Sequence, residues 1–304
     1  MMMWMKNRPK GNTFVHEIEG DGDIIVVIPT ADFNGEFATM CRNIIFKGLK
    51  IIFVESAEQP DPYFNYAHSV NVGIDVALRY KPKWIVVSND DMIKVDDVSK
   101  LKLELSGIDN SKFDLVLAEP DFQVSTKLMV CEPTFLLIQY RKLLHSLLIK
   151  LDSLNSFSKF ASIPRRGTYF RKLLNYYFVH KVESLLPEPS FFIRENSRNY
   201  KSIFFRPLIK YTNFEAFGIF SYEYLSNCAQ LFDEAYINSH EDHDVSLHCS
   251  FKNERIGEIN YRIKGIGRSS LGGSLPRSMR ILASNCYFNT KMRTIVRDMS
   301  HKSD

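Results

Sequence analysis

Residues 84–91 read WIVVSNDD, an apolar run that ends in an amide and two carboxylates. An uninterrupted apolar run of this length predicts a strand buried on both faces, as in the centre of a parallel sheet. Ligands of open α/β sheets bind beyond the carboxyl ends of the strands, so these oxygens are well placed to hold Mg2+ or Mn2+. The alternative is a polar turn in which Asp91, Asp96 or Asp97 caps the next helix.

Two similar runs precede this strand. Residues 24–30 read IIVVIPT and predict the first strand, and residues 49–56 read LKIIFVES and predict the second. Helical patterns cover residues 37–47 and 66–80 between them. The order strand, helix, strand, helix, strand predicts an α/β fold with a nucleotide-sized crevice, lined by Thr30, Glu55 and residues 89–91.

A second group of motifs lies near the end of the chain, with FGIF at 217–220, LFDE at 231–234 and HEDHD at 240–244. With VIPT at 27–30, NVGI at 71–74 and NDD at 89–91, this group resembles the inverting family 2 glycosyltransferases in order and spacing. The resemblance covers residues 23–125 and 213–291. It implies a GT-A fold, which is a Rossmann-like mixed sheet flanked by helices. It also implies sugar transfer from a nucleotide-diphospho-sugar to a hydroxyl of a glycan or lipid-linked acceptor.

The resemblance also assigns roles to residues. Asp91 would hold the Mn2+ or Mg2+ that bridges the diphosphate. Asn89 stands where the strict motif has aspartate, which lowers the charge available to the metal. The residues assigned to the nucleotide are Thr30 and Glu55, which would line the base pocket, together with Asn71, Asn89 and Asp90.

The carboxyl end carries cations among glycines and serines at 265–274. Arg268 would contact the diphosphate where the family often has a histidine, and a plain surface loop is the alternative. Residues 285–291 read NCYFNTK and resemble the terminal N-x-x-F-x-x-K of many rhamnosyl-type relatives.

Asp242 is the candidate catalytic base that the resemblance implies, and Glu241 competes with it. An inverting transfer needs a carboxylate that accepts the proton of the acceptor hydroxyl while its oxygen attacks the anomeric carbon. One alternative is helix capping, with Ser239 as N-cap and Asp242 three residues on. A zinc site with His240 and His243 is a weaker alternative, because the spacing is not that of a zinc helix.

Composition is typical of an intracellular enzyme. The 304 residues are 45% hydrophobic, enough for a sizeable core. The five cysteines are odd in number and form no CxxC pair, which argues against a disulfide framework. The start lacks a signal peptide and no uncharged run is long enough to span a membrane, so we expect a cytoplasmic protein. Residues 1–22 are predicted to form a loosely held tail.

The middle of the chain concentrates positive charge. Residues 140–210 have a net charge of +10, whereas the whole chain has +4. Leucines at helical spacing in 140–151, and aromatics with paired cations in 169–178, are typical of an interfacial helix on an anionic membrane. Packing on the catalytic domain is the alternative, and nucleic acid is not expected, because no RNA-binding signature is present. The predicted divisions are 1–22, 23–125, a basic helical insertion over 126–210, and 211–304.

Two other functions share these features. A sugar-phosphate nucleotidyltransferase would need a glycine-rich basic loop after the first strand, whereas residues 31–36 are acidic. A non-catalytic module that binds nucleotide-sugars without turnover is the second, and Asn89 favours it slightly.

Overall fold

The computed structural model describes residues 6–7, 10–56, 65–119, 124–131, 190–195, 206–236, 239–252, 254–266 and 275–300. Its strands are β1 (Thr13–Ile18), β2 (Asp21–Thr30), β3 (Leu49–Ser56), β4 (Trp84–Ser88), β5 (Met92–Lys94), β6 (Leu115–Glu119), β7 (Val124–Cys131), β8 (Ser190–Glu195), β9 (Arg206–Asn213), β10 (Phe217–Ser221) and β11 (Ile256–Gly265). Its helices are α1 (Glu36–Met40), which continues into a π-helical turn (Cys41–Ile45), α2 (Tyr66–Leu78), α3 (Val98–Ser106), α4 (Tyr222–Asn227), α5 (Glu241–Lys252) and α6 (Leu275–Ser300).

Eight strands form one mixed sheet in the order β1-β3-β2-β4-β10-β6-β11-β5. At its centre β3, β2 and β4 are parallel, with Val26 opposite both Ile51 and Val86. These runs are buried on both faces, because Ile24, Val26 and Ile28 belong to one core cluster while the residues between them belong to the other. The predicted strand and helix order is confirmed, and the protein is an α/β protein whose large mixed sheet is flanked by helices.

Helices cover both faces of this sheet. α1, the π-helical turn and α3 pack on one face, and α2, α4 and α5 pack on the other. Gly73 lets α2 approach the sheet closely, since a Cβ atom there would lie 2.4 Å from Cγ1 of Val27. The predicted halves 23–125 and 211–304 share this sheet, because β10 lies between β4 and β6 and is antiparallel to both.

The amino-terminal region differs from the predicted tail. Residues Thr13–Ile18 form β1, an edge strand that pairs antiparallel with β3 and sets Phe14 opposite Glu55. The start of β1 therefore lies at the carboxyl end of β3, next to the predicted crevice. The alternation of exposed and half-buried side chains in β1 is typical of an edge strand.

The predicted insertion also has different limits. β7 forms a second, antiparallel sheet with β8 and β9, in the order β8-β7-β9. This sheet packs on α5 and α6 through a third core cluster that includes Phe191, Tyr211, Tyr236 and Phe288. The predicted boundaries at 126 and 210 therefore fall inside β7 and β9. The helical segments predicted at 140–151 and 169–178 lie outside the described residues.

Cys41, Cys228 and Cys249 are free thiols, and two of them are buried. Within the described ranges, no helix is both long enough and apolar enough to cross a membrane.

Candidate functional site

The carboxyl ends of the parallel strands meet at one edge of the sheet. Thr30 of β2 lies opposite Glu55 of β3, and Asn89 to Asp91 follow β4 on the other side of β2. The predicted convergence of these residues at one edge is therefore observed.

Asp90 is held by contacts of both its side chain and its backbone. Its Oδ2 accepts a hydrogen bond of 2.8 Å from the Thr30 hydroxyl, and burial raises the pKa of its carboxyl. Two hydrogen bonds hold the backbone of this acidic loop. The Cys41 thiol donates to the carbonyl of Asp90 at 3.2 Å, and the amide of Ile266 donates to the carbonyl of Asp91 at 2.8 Å. Thr30 thus holds the acidic loop in place, a role that the sequence did not suggest.

Glu55 is engaged through both carboxylate oxygens. Oε1 accepts from the Phe33 amide at 2.8 Å, and Oε2 lies 2.8 Å from Nε2 of His16. The rings of His16 and Phe33 stack with centroids 4.1 Å apart, and the guanidinium of Arg42 lies 4.8 Å from the Phe33 centroid. In the place predicted for a nucleobase pocket, Glu55 anchors an aromatic stack that includes β1.

The second acidic pair lies at the start of α5. Asp244 donates its amide to the carbonyl of His240 at 2.8 Å, so the first helical turn contains Glu241, Asp242 and Asp244, where carboxylates favour the helix dipole. Ser239 is the N-cap residue of the capping alternative. Its hydroxyl bonds the ring of His240 at 2.7 Å. His240 has a positive φ of 77°, a conformation that stores strain in a non-glycine residue.

Asp242 is held by a buried amide. Nδ2 of Asn213, at the end of β9, donates to Oδ2 of Asp242 at 2.7 Å. Oδ1 of the same amide accepts from the hydroxyl of Ser246 at 2.9 Å. Asn213 and Ser246 are at most 1% exposed, so this arrangement belongs to the core rather than the surface.

Tyr66 joins the two acidic pairs. It is the first residue of α2, and the pKa of its hydroxyl is raised by burial and then by Asp242, Glu241, Asp90 and Asp91. A single hydroxyl therefore lies within the electrostatic reach of both the strand-end carboxylates and the α5 carboxylates. Sequence reasoning did not identify Tyr66, since it is separated from these residues by at least 24 positions.

Asn71 serves the fold in a way that the sequence did not reveal. Its side chain accepts from the amide of Phe232 at 3.1 Å and donates to the Phe232 carbonyl at 2.9 Å, so it pairs with both backbone groups of Phe232 as the backbone of a neighbouring strand would. It also donates to Glu234 at 3.1 Å, and Glu234 further binds Lys10 and His68. Asn71, the predicted nucleotide contact, therefore clamps the FDE segment onto α2 in this structure.

Lys291 joins α6 to the same region. Its Nζ lies 2.7 Å from Oδ2 of Asp233 and 2.6 Å from Oδ2 of Asp244. Burial alone would raise the pKa of Asp233, but the effect of Lys291 is larger and lowers this pKa. Asp244 is more deeply buried, and there burial outweighs Lys291 and raises the pKa. The FDE segment, the α5 start and the carboxyl-terminal motif are therefore one connected unit.

His240 and His243 are the two histidines of the predicted zinc alternative. Burial, and then His243, lowers the pKa of His240 to about 3, so its ring is neutral at ordinary pH. His243 is bound to the hydroxyl of Tyr211 at 3.0 Å. Among the described residues, no three His, Cys, Asp or Glu side chains form a ready metal site. Arg268 lies outside the described residues.

Comparisons with protein-family models, with curated proteins and with solved structures found no match to this chain. The chemistry of the site is therefore the ground for a functional proposal.

Proposed function

We propose that this chain is an inverting glycosyltransferase of the GT-A type, which moves a sugar from a nucleotide-diphospho-sugar to a hydroxyl acceptor. The observation that carries the proposal is a pair of fixed carboxylates: Asp90 is bonded to Thr30 at the carboxyl edge of the parallel strands, and Asp242 is bonded to Asn213 at the start of α5. One acidic pair, Asp90 and Asp91, suits the diphosphate with its cation. The other, Glu241 and Asp242, suits the base.

In this reaction Asp242 acts as general base. Its carboxylate takes the proton of the acceptor hydroxyl as that oxygen bonds to the anomeric carbon, while the nucleoside diphosphate leaves with the electron pair of the broken bond. The hydrogen bond from Asn213 supports Asp242 over Glu241, because it fixes the carboxylate in one orientation.

A divalent cation, Mn2+ or Mg2+, would be held by Asp91 together with the oxygens of the diphosphate. Such a cation would stabilise the negative charge that develops on the leaving group. Asp90, bonded to Thr30, would keep Asp91 in position.

A thermal-shift panel tests the donor. UDP-, GDP- and dTDP-sugars are each added with and without Mn2+, and we expect one nucleotide class to raise the melting temperature, since a ligand of the native state stabilises it by mass action. Failure of all three classes, in both metal conditions, would count against the proposal.

A transfer assay with the selected donor tests the base. Asp242→Asn should bind donor normally and lose about 100-fold or more in turnover, the range for losing a general base. Glu241→Gln separates the two candidates. Asp75→Asn, an exposed carboxylate on α2, is the matched control and should transfer like the parent. Unchanged turnover in Asp242→Asn would refute the assignment.

The acceptor is proposed to be membrane-borne or otherwise anionic, because residues 140–210 have a net charge of +10. Cations near anionic headgroups are worth about 1 kcal/mol each and are screened by salt. Sedimentation with anionic vesicles should exceed that with neutral vesicles and should fall with added salt. If the protein ignores anionic vesicles at low salt, a soluble acceptor becomes the better hypothesis.

The non-catalytic module is the second candidate. Asn89 in place of aspartate favours it, because a carboxylate there would add charge for the metal. Donor binding in the thermal-shift panel without any transfer or donor hydrolysis would support this alternative.

A further inference from the structure

The amide of Asn213 has only one orientation that satisfies its neighbours. An ionised carboxylate only accepts hydrogen bonds, so the group that faces Asp242 at 2.7 Å must be Nδ2, the donor end. Oδ1 then faces Ser246, whose hydroxyl must donate to it at 2.9 Å. The direction of all three groups is therefore set by their chemistry as well as by their positions.

The hydrogen-bonded set of Asp242, Asn213 and Ser246 joins two parts of the fold. Asn213 ends β9 in the second sheet, whereas Ser246 lies on α5, one helical turn after Asp242. Asn213 is 0% exposed and Ser246 is 1% exposed, so water does not compete for these bonds. A buried polar group persists only when its partners are in place, and rotation of this amide would set its oxygen against Oδ2 of Asp242, so that the carboxylate would lose its donor.

We infer that Asn213, held by Ser246, is the positioning residue for Asp242 in the proposed transfer reaction. The inference rests on the proposed function. Asn213 binds Oδ2 of Asp242 and so directs Oδ1 to the acceptor hydroxyl. The proton of that hydroxyl passes to Oδ1, the acceptor oxygen bonds to the anomeric carbon, and the diphosphate departs with its bonding electrons. The amide keeps its protons throughout.

The expected effects follow from orientation. Misplacing a reacting group by about 1 Å costs about 100-fold in rate, so Asn213→Leu should lower kcat by about that factor. Ser246→Ala leaves Nδ2 in reach of Asp242 but removes the anchor of the amide, so its kcat should fall less, by about 10-fold. The KM for the donor should stay at its parent value in both, because the diphosphate contacts are untouched.

The deciding measurement is a double-mutant cycle. If Asn213 acts only through Asp242, then Asn213→Leu should have no further effect on turnover in the Asp242→Asn background, whereas independent effects multiply. Ser250→Ala is the matched control, because it removes another serine hydroxyl of α5, which donates to the carbonyl of Ser246, and it should keep parent turnover. Circular dichroism and melting curves confirm that each variant folds.

A second readout does not depend on turnover. The side-chain NH2 of Asn213, labelled with 15N, should exchange slowly with solvent in the parent, and its signals should move in Asp242→Asn and in Ser246→Ala. If Asn213→Leu fails to fold, the Ser246→Ala variant decides by its kcat and by these signals.

The outcomes separate the two ideas. A parent protein that transfers no sugar from any donor overturns the proposed function. If the parent transfers sugar but the effects in the cycle multiply, or the Asn213 amide exchanges fast, the positioning role of Asn213 is overturned and the proposed function stands.

Discussion

Replacing Lys291 with methionine should destabilise the fold strongly, because the ammonium group lies between two carboxylates. At an effective dielectric constant of about 20, a pair of unit charges 2.7 Å apart has a Coulomb energy of about 6 kcal/mol before desolvation is counted. Breaking a buried pair costs about 3–5 kcal/mol, because the remaining charge loses its partner. The Lys291 side chain is 28% exposed, so we expect the lower end, about 3 kcal/mol.

Urea unfolding followed by circular dichroism measures this loss, and the melting temperature should fall by roughly 6–10 °C. Lys83→Met is the matched control. It removes the same kind of side chain from a pair of similar length, 2.8 Å to Asp23, in which both side chains are well exposed. The control should unfold at the urea concentration of the parent.

The pH dependence identifies the cause. Without Lys291, the carboxylates of Asp233 and Asp244 face each other as like charges, and protonation relieves that repulsion. The difference between parent and Lys291→Met should therefore shrink as the pH falls from neutral toward the ordinary pKa of aspartate, about 4. A loss equal to that of Lys83→Met, or one independent of pH, would show that Lys291 contributes packing only.

Three further predictions follow from the site. Asp91→Ala should weaken donor binding and abolish its response to Mn2+; equal donor affinity of the parent in EDTA and in Mn2+, measured by calorimetry, would contradict this. Asn71→Leu should cost about 1–3 kcal/mol for each backbone group of Phe232 left unsatisfied, yet the folded variant should bind donor like the parent; a selective loss of donor binding would restore the nucleotide-contact hypothesis. The pKa of His240 is about 3 in the folded protein and 6.5 in the unfolded chain, so the unfolded state binds more protons between these values. The free energy of unfolding should therefore fall as the pH drops through this window, by up to about 1.4 kcal/mol per pH unit. The same pH slope in His240→Gln would refute the assignment.

The parallel core was predictable because its signal is local. Strands β2, β3 and β4 are each a continuous apolar run, and such runs are required where helices cover both faces of a sheet. The carboxyl-end residues Thr30, Glu55 and Asp91 follow from the same rule, since parallel strands end at one edge.

The partners of these residues were not predictable, because they come from distant parts of the chain. Asn213 is 29 positions from Asp242, and Asn71 is 161 positions from Phe232. Nothing in the local pattern marks an asparagine as a buried clamp rather than a ligand contact. Strand β1 was missed for a different reason: an exposed edge strand has only a weak alternation, which six residues barely express.

The charge of the crevice limits how an anionic donor can bind. Asp90, Asp91, Glu241 and Asp242 all raise the pKa of the Tyr66 hydroxyl, and the nucleoside diphosphate of the proposed donor would add further negative charge. Positive charge would then have to accompany the proposed donor, either from a divalent cation held at Asp91 or from the basic residues of 140–210 and 265–274.

These sources differ in their response to solvent conditions. A cation that bridges the diphosphate makes donor binding sensitive to chelators, whereas surface cations make it sensitive to salt, because screening acts over about 10 Å at 0.1 M. The response of donor binding to a chelator and to salt would therefore identify which source supplies the positive charge.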